Sequence, residues 1–158
     1  MPRAVYLTGY NAGMGEVTRS VLIARPVALV YGLINDFERY PEFVPGCASA
    51  QLLARSGTEV VARLGVRQGP LSMEFTTRNR LTPYSAVDMQ LVDGPFTELT
   101  GGWQLTPLSD SGCRATLSLR FEFNNPVTAV VLAPLFEIMI ADLVDAFVLR
   151  ARQSPAPG

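Results

Sequence analysis

Across its 158 residues this chain has no histidine and no lysine, and all thirteen of its basic side chains are arginine. Without imidazole the commonest general base and metal ligand is missing, which excludes the serine, cysteine and zinc chemistries that depend on it. Two cysteines remain, Cys47 and Cys113, with neither a Cys-x-x-Cys pair nor a ligand spacing. They read as reduced thiols, and no metal is expected. A proton shuttle would have to come from neutral groups, and the candidates are Tyr40, Thr77 and Asn79. None is an effective base near neutral pH, so no catalytic residue is assigned and no cofactor is required.

The elements that position these groups follow from the hydrophobic period. Hydrophobic residues make up 48% and charged residues 17%, the balance of a folded domain. The net charge of -1 lacks the basic surplus of a DNA-binding protein. Residues 1–16 carry three glycines and no period, and read as a loose lead-in; residues 17–152 form one domain, and 153–158 a disordered tail. There is no signal-peptide stretch and no unbroken apolar window of the ~18–20 residues that a membrane span needs, so a cytoplasmic protein is expected.

Val17–Ala24 predicts a first strand, and Pro26 opens a short helix with Val27, Val30, Tyr31 and Ile34 on one stripe. A second short helix or turn follows at Phe37 to Phe43, before Pro45 and Gly46 break it. Strict alternation then takes over. Val60, Ala62, Leu64 and Val66 share a face, as do Leu71, Met73 and Phe75, then Val87, Met89 and Leu91. Leu99, Trp103 and Leu105 follow, and finally Leu117, Leu119, Phe121 and Phe123. The opposite parity holds Ser72, Glu74, Thr76, Arg78, Arg80 and Arg120. One wet face and one buried face per strand is the pattern of an antiparallel meander. Asn125-Pro126 then caps a long last helix, Val127–Arg152, which Pro134 is expected to kink or break near Ala133.

A face of six or seven strands offers more apolar surface than one helix can cover. The inner parity supplies Leu64, Met73, Phe75, Met89, Leu91, Trp103, Leu117, Leu119 and Phe121, and the helix supplies Phe136, Met139, Ile140, Leu143 and Phe147. Thr77 and Asn79 are the only polar groups assigned inward, with no charge at all. Such a lining can hold an apolar ligand but gives little means of moving protons. Solid packing of the same residues is the alternative.

The order of elements resembles the helix-grip (START-like, Bet v 1-like) superfamily. Three segments are similar to its coenzyme Q-binding and polyketide cyclase/dehydrase-like family: DFERYPEFVPGC from Asp36, DGPFTELTGGWQLTPL from Asp93, and LVDAFVLRA from Leu143. The resemblance implies an α+β fold, an antiparallel six- to seven-stranded curved sheet around a long C-terminal helix, with two short helices after the first strand. It adds Tyr40, Phe43 and Phe96 to the candidate lining. The rings of Tyr40 and Phe43 can close one end of a pocket, and the Asp93-Gly94-Pro95 turn can place Phe96 at an opening.

For function the resemblance implies first a non-catalytic binder of a hydrophobic small molecule, above all ubiquinone (coenzyme Q), serving respiratory electron transport or ubiquinone biosynthesis. The family also includes a bacterial toxin that blocks ribosomal subunit association, which implies the large ribosomal subunit as the alternative partner. A polyketide aromatase/cyclase is the third reading, weakened by the lack of histidine and of an inward carboxylate. Arg63, Arg67, Arg78, Arg80 and Arg120 fall on the outward parity, where they can meet rRNA phosphates, diluted there by Glu59, Glu74 and Glu122. Between Val127 and Ile140 the only charge is Glu137. Burial of that stretch is the first expectation, and peripheral contact with the inner face of the cell membrane the second.

Overall fold

The computed structural model describes residues 14–155. Seven strands form one sheet: β1 Met14–Ile23, β2 Cys47–Ser56, β3 Glu59–Gln68, β4 Leu71–Thr82, β5 Ala86–Asp93, β6 Phe96–Ser109 and β7 Gly112–Phe123. Their order is β1-β7-β6-β5-β4-β3-β2, antiparallel throughout. Consecutive strands from β2 onward are neighbours, as short turns require. The single long crossover joins the two edges through α1 Val27–Asn35, a 3-10 turn at Phe37–Arg39 and α2 Tyr40–Phe43. The last element, α3 Pro126–Gln153, lies across the sheet and packs chiefly on β1. This is the expected helix grip.

Two adjacent glycines lie within β6. Gly101 and Gly102 hold φ of 142° and 155°, a region that only glycine occupies without strain. A Cβ on Gly101 would overlap the Ser118 carbonyl oxygen, and one on Gly102 that of Val87. Neighbouring backbones therefore close in on both sides of β6.

Several boundaries differ from the sequence reading. Residues 14–16, assigned to the lead-in, begin β1 and pair with Phe121 and its neighbours on β7, while residues 1–13 lie outside the described residues. Gln153 ends α3 and is not part of a tail; residues 156–158 lie outside the described residues. β2 gave no period because it is a largely exposed edge strand whose pairing is interrupted by two register shifts. Pro134 does not end α3, which runs unbroken for 28 residues. Its ring sits on an exposed face, and tertiary contacts on the opposite face hold the turns either side. Thr76, placed outward by parity, is buried where the β4–β5 pairing shifts register beside it.

The N-terminus of α3 is capped as the Asn-Pro pair predicts, Asn125 Oδ1 accepting from Val127 N at 3.0 Å and Thr128 N at 3.4 Å. The helix buries Ala129, Ala133, Phe136, Ile140, Val144 and Phe147 on one side. The other side is bare: Val127 is 81% exposed, and Val130, Val131, Pro134 and Ile138 are exposed too. The expected burial of Val127–Ile140 thus holds for one face only.

Candidate functional site

Between the inner face of the sheet and α3 lies a cavity of about 80 Å³. Its walls are Ala62, Leu64, Val66, Phe75, Thr77, Asn79, Met89, Leu99, Trp103, Leu117 and Leu119 from the strands, and Phe136, Met139, Ile140 and Leu143 from α3. Phe37, Tyr40, Val44, Pro45 and Cys47 close one end. Pro45 is exposed, so the cavity approaches the surface there, not at Phe96. The volume falls well below the ~300–1,000 Å³ of ordinary small-molecule pockets. Much of the interior that alternation leaves open is filled by rings.

Six of the candidate lining residues lie off the cavity, four of them as part of that ring packing. Phe96, expected at an opening, is buried, stacked on Phe123 at 4.6 Å between ring centres and edge-on to Phe75 and Phe121. Phe121 is fully buried against Phe136, 4.8 Å away. Phe147 is held edge-on by Tyr40, Phe43 and Trp103 at 5.2 to 5.4 Å. Phe43, half-buried, also carries the Arg150 guanidinium 4.8 Å above its ring. Met73 and Leu91 are half-buried near strand ends, beyond the cavity. Strand parity predicts inwardness but not depth along the strand, which is why Met73, Leu91 and Phe121 looked equivalent to the wall residues; Phe43 and Phe96 came from the family resemblance and Phe147 from the helix stripe.

The polar groups of the wall are few and mostly engaged. The Tyr40 hydroxyl donates to the Ile34 carbonyl in the last turn of α1, and burial pushes its pKa well above the usual tyrosine range. The Cys47 thiol donates to the Ser49 carbonyl at 3.4 Å, and burial raises its pKa as well. Thr77 Oγ1 donates to Asn79 Oδ1 at 2.8 Å. None of these groups is a poised base or an activated nucleophile.

Two charged residues do face inward, against the expectation of a charge-free interior. Arg19 on β1 is buried; its Nη1 donates to the Ala141 carbonyl at 3.3 Å and its Nη2 to Asp145 Oδ1. Glu137 on α3 is 2% exposed, and its Oε1 has no hydrogen-bond partner among the described residues. It lies over Gly15 and the Phe121 ring, and a Cβ on Gly15 would collide with both. Burial pushes the Glu137 carboxyl up to about 7. Neither residue lines the cavity. Their positions were legible in part: Arg19 keeps the parity of Val17, and Glu137 follows Ala133 and precedes Ala141 at helical spacing of four.

On the outer face of the sheet, Arg63, Arg67, Arg78, Arg80 and Arg120 are all exposed. Arg78 pairs with Glu59 at 3.0 Å and Arg120 with Glu16 at 3.6 Å. No ion pair is formed by Arg63, Arg67 or Arg80 among the described residues. A polar groove of about 530 Å³ runs here, walled by Arg78, Arg80, Asp88, Gln90, Gln104 and Ser118, with the bare backbone of Gly101 and Gly102 beneath it.

A curved antiparallel sheet gripping a long C-terminal helix around an apolar cavity defines a START-like, Bet v 1-like protein. Residues 23–148 match the model of the polyketide cyclase / dehydrase and lipid transport family, and the chain belongs to it. The ribosome association toxin RatA of Pseudomonas aeruginosa is 43% identical over 138 residues, 87% of this chain and 96% of that one. RatA of Escherichia coli is 38% identical, covering 89% of each. A mitochondrial coenzyme Q-binding protein of Drosophila melanogaster is 26% identical over 89% of this chain and 60% of its own length. Among solved structures, the aromatase/cyclase Zhui superposes with a TM-score of 0.77 at 21% identity, over 89% of this chain and 94% of that one, a likeness of fold. The relatives thus favour the ribosome alternative of the sequence reading over its quinone-carrier reading.

Proposed function

We propose that this protein inhibits ribosomal subunit association by binding the large subunit, without catalysing a reaction. The observation that carries the reading is the 38–43% identity to RatA proteins along nearly the whole chain, against 26% to the coenzyme Q-binding protein. The exposed arginines of the outer sheet face offer contacts to rRNA phosphates. Acidic neighbours make that contact selective in position, since the chain as a whole carries no basic surplus. Such a role belongs in the cytoplasm. Sedimentation of purified bacterial subunits with and without the protein tests it. Fewer joined ribosomes with added protein are expected; joining that stays unchanged at large molar excess removes the reading.

A second reading concerns the cavity, whose uncharged, largely apolar wall favours a hydrophobic guest. Ubiquinone remains a candidate for its ring end only, because a polyprenyl tail far exceeds the enclosed volume. Native mass spectrometry of gently purified protein would detect such a guest as an added mass. Persistently bare protein, even after incubation with short-chain quinones, would rule it out.

A further inference from the structure

Asn79 occupies an inward strand position where almost every equivalent residue is apolar, and it is 1% exposed. Its Oδ1 is taken by the Thr77 hydroxyl, whereas its Nδ2 has no hydrogen-bond partner among the described residues. Both residues line the cavity. Unlike the sealed, unpartnered oxygens of Asn35 and Glu137, the amide edge of Asn79 opens on the free space of the cavity, where a leucine of similar size would need no partner. An acceptor on a bound guest would complete it. The remaining wall narrows what the guest can be. No charged side chain lines the cavity, so neither a carboxylate nor an ammonium head would find a counter-charge. The Tyr40 and Cys47 donors are occupied by backbone carbonyls, and the Trp103 indole is the one other N–H donor of the wall.

We propose that Asn79, oriented by Thr77, is the polar anchor of the cavity, selecting a neutral apolar molecule that carries a carbonyl-type oxygen at its inner end. The inference rests on the cavity-binding reading and is independent of the ribosome reading. The enclosed volume, about 80 Å³, holds a ring-sized head only if the wall widens around it, with any longer chain leaving past Pro45.

Three probes of one size and different heads test this on the full chain: acetophenone, ethylbenzene and benzoate. Binding is followed by calorimetry and by the indole resonance of Trp103, the single tryptophan of the chain. Acetophenone is expected to bind roughly three- to tenfold tighter than ethylbenzene, the worth of one hydrogen bond, and benzoate not to bind. Asn79→Leu should abolish the preference while keeping ethylbenzene binding. Thr77→Val, nearly isosteric, should reduce the preference by about half even if Asn79→Leu fails to fold. Equal binding of acetophenone and ethylbenzene by the unaltered protein overturns the anchor and leaves the cavity reading intact. Failure of all three probes to bind overturns both.

Discussion

Arg19, in the middle of β1, reaches over the edge of the sheet to bond Asp145 on α3, 126 residues later in the chain. The two ends of the pair differ in solvation: Arg19 is 3% exposed and Asp145 33%. The guanidinium also holds the Ala141 carbonyl one helical turn earlier. Together these bonds fasten the C-terminal half of α3 to the first strand, where the helix has most of its contacts with the sheet.

The asymmetry predicts unequal costs for breaking the pair. Arg19→Met should cost about 2 kcal/mol, because Asp145 is one-third exposed and its carboxylate keeps contact with water. Asp145→Ala should cost more, about 3 kcal/mol, since it strands a buried cation. Urea unfolding of both variants checks the order; equal losses would show that Arg19 is solvated in solution.

Glu137 makes stability depend on pH in an unusual direction. Its carboxyl titrates near 7 in the fold and near 4.5 when unfolded. Raised affinity for the proton means that its full contribution is present below about pH 4.5, declines as pH rises and is gone above about 7. Glu137→Gln should remove this slope and stabilise the protein by about 2–3 kcal/mol at pH 8, with little change at pH 4.5. Melting curves at the two pH values, compared between the two proteins, measure it.

The paired glycines of β6 should tolerate nothing larger. Gly101→Ala or Gly102→Ala forces a positive-φ region closed to L-residues and drives Cβ into a neighbouring strand's carbonyl oxygen. Each should cost at least about 3 kcal/mol. Gly57, also at positive φ but with open space around it, should cost clearly less when changed to alanine. Thermal denaturation of the three variants ranks them.

Filling the cavity separates its role from the surface role. Ala62→Val adds two methyl groups to a buried wall position and should raise stability by about 0.5–1 kcal/mol while excluding ring-sized guests. Inhibition of subunit joining should persist in this variant. Conversely, Arg67→Glu with Arg80→Glu reverses two exposed charges that form no ion pair among the described residues. That change should weaken subunit binding at least tenfold and flatten its salt dependence, with the melting temperature unchanged. Pelleting with large subunits over a salt series reads both variants.

Alternation from β3 to β7 and the Asn125-Pro126 cap determine the sheet, its inward face and the start of the long helix, because each depends on neighbours a few residues apart. β2 escaped that logic: as an irregular edge strand it has only one strand to pair with and little to bury. Pro134 escaped it too, since its exposed face lets contacts across the sheet override a local breaker. How much room remains inside was decided by ring packing. Phe121 and Phe147 share the inward parity or helical stripe of true wall residues, and Phe96 reaches the same side across a register shift at the start of β6; all three meet other rings drawn from distant strands and α3, and so fill space they were expected to border. The burial of Arg19 and Glu137 was likewise settled by which element lay opposite. Short-range spacing sets the face a side chain points to; only the closed fold sets what it finds there.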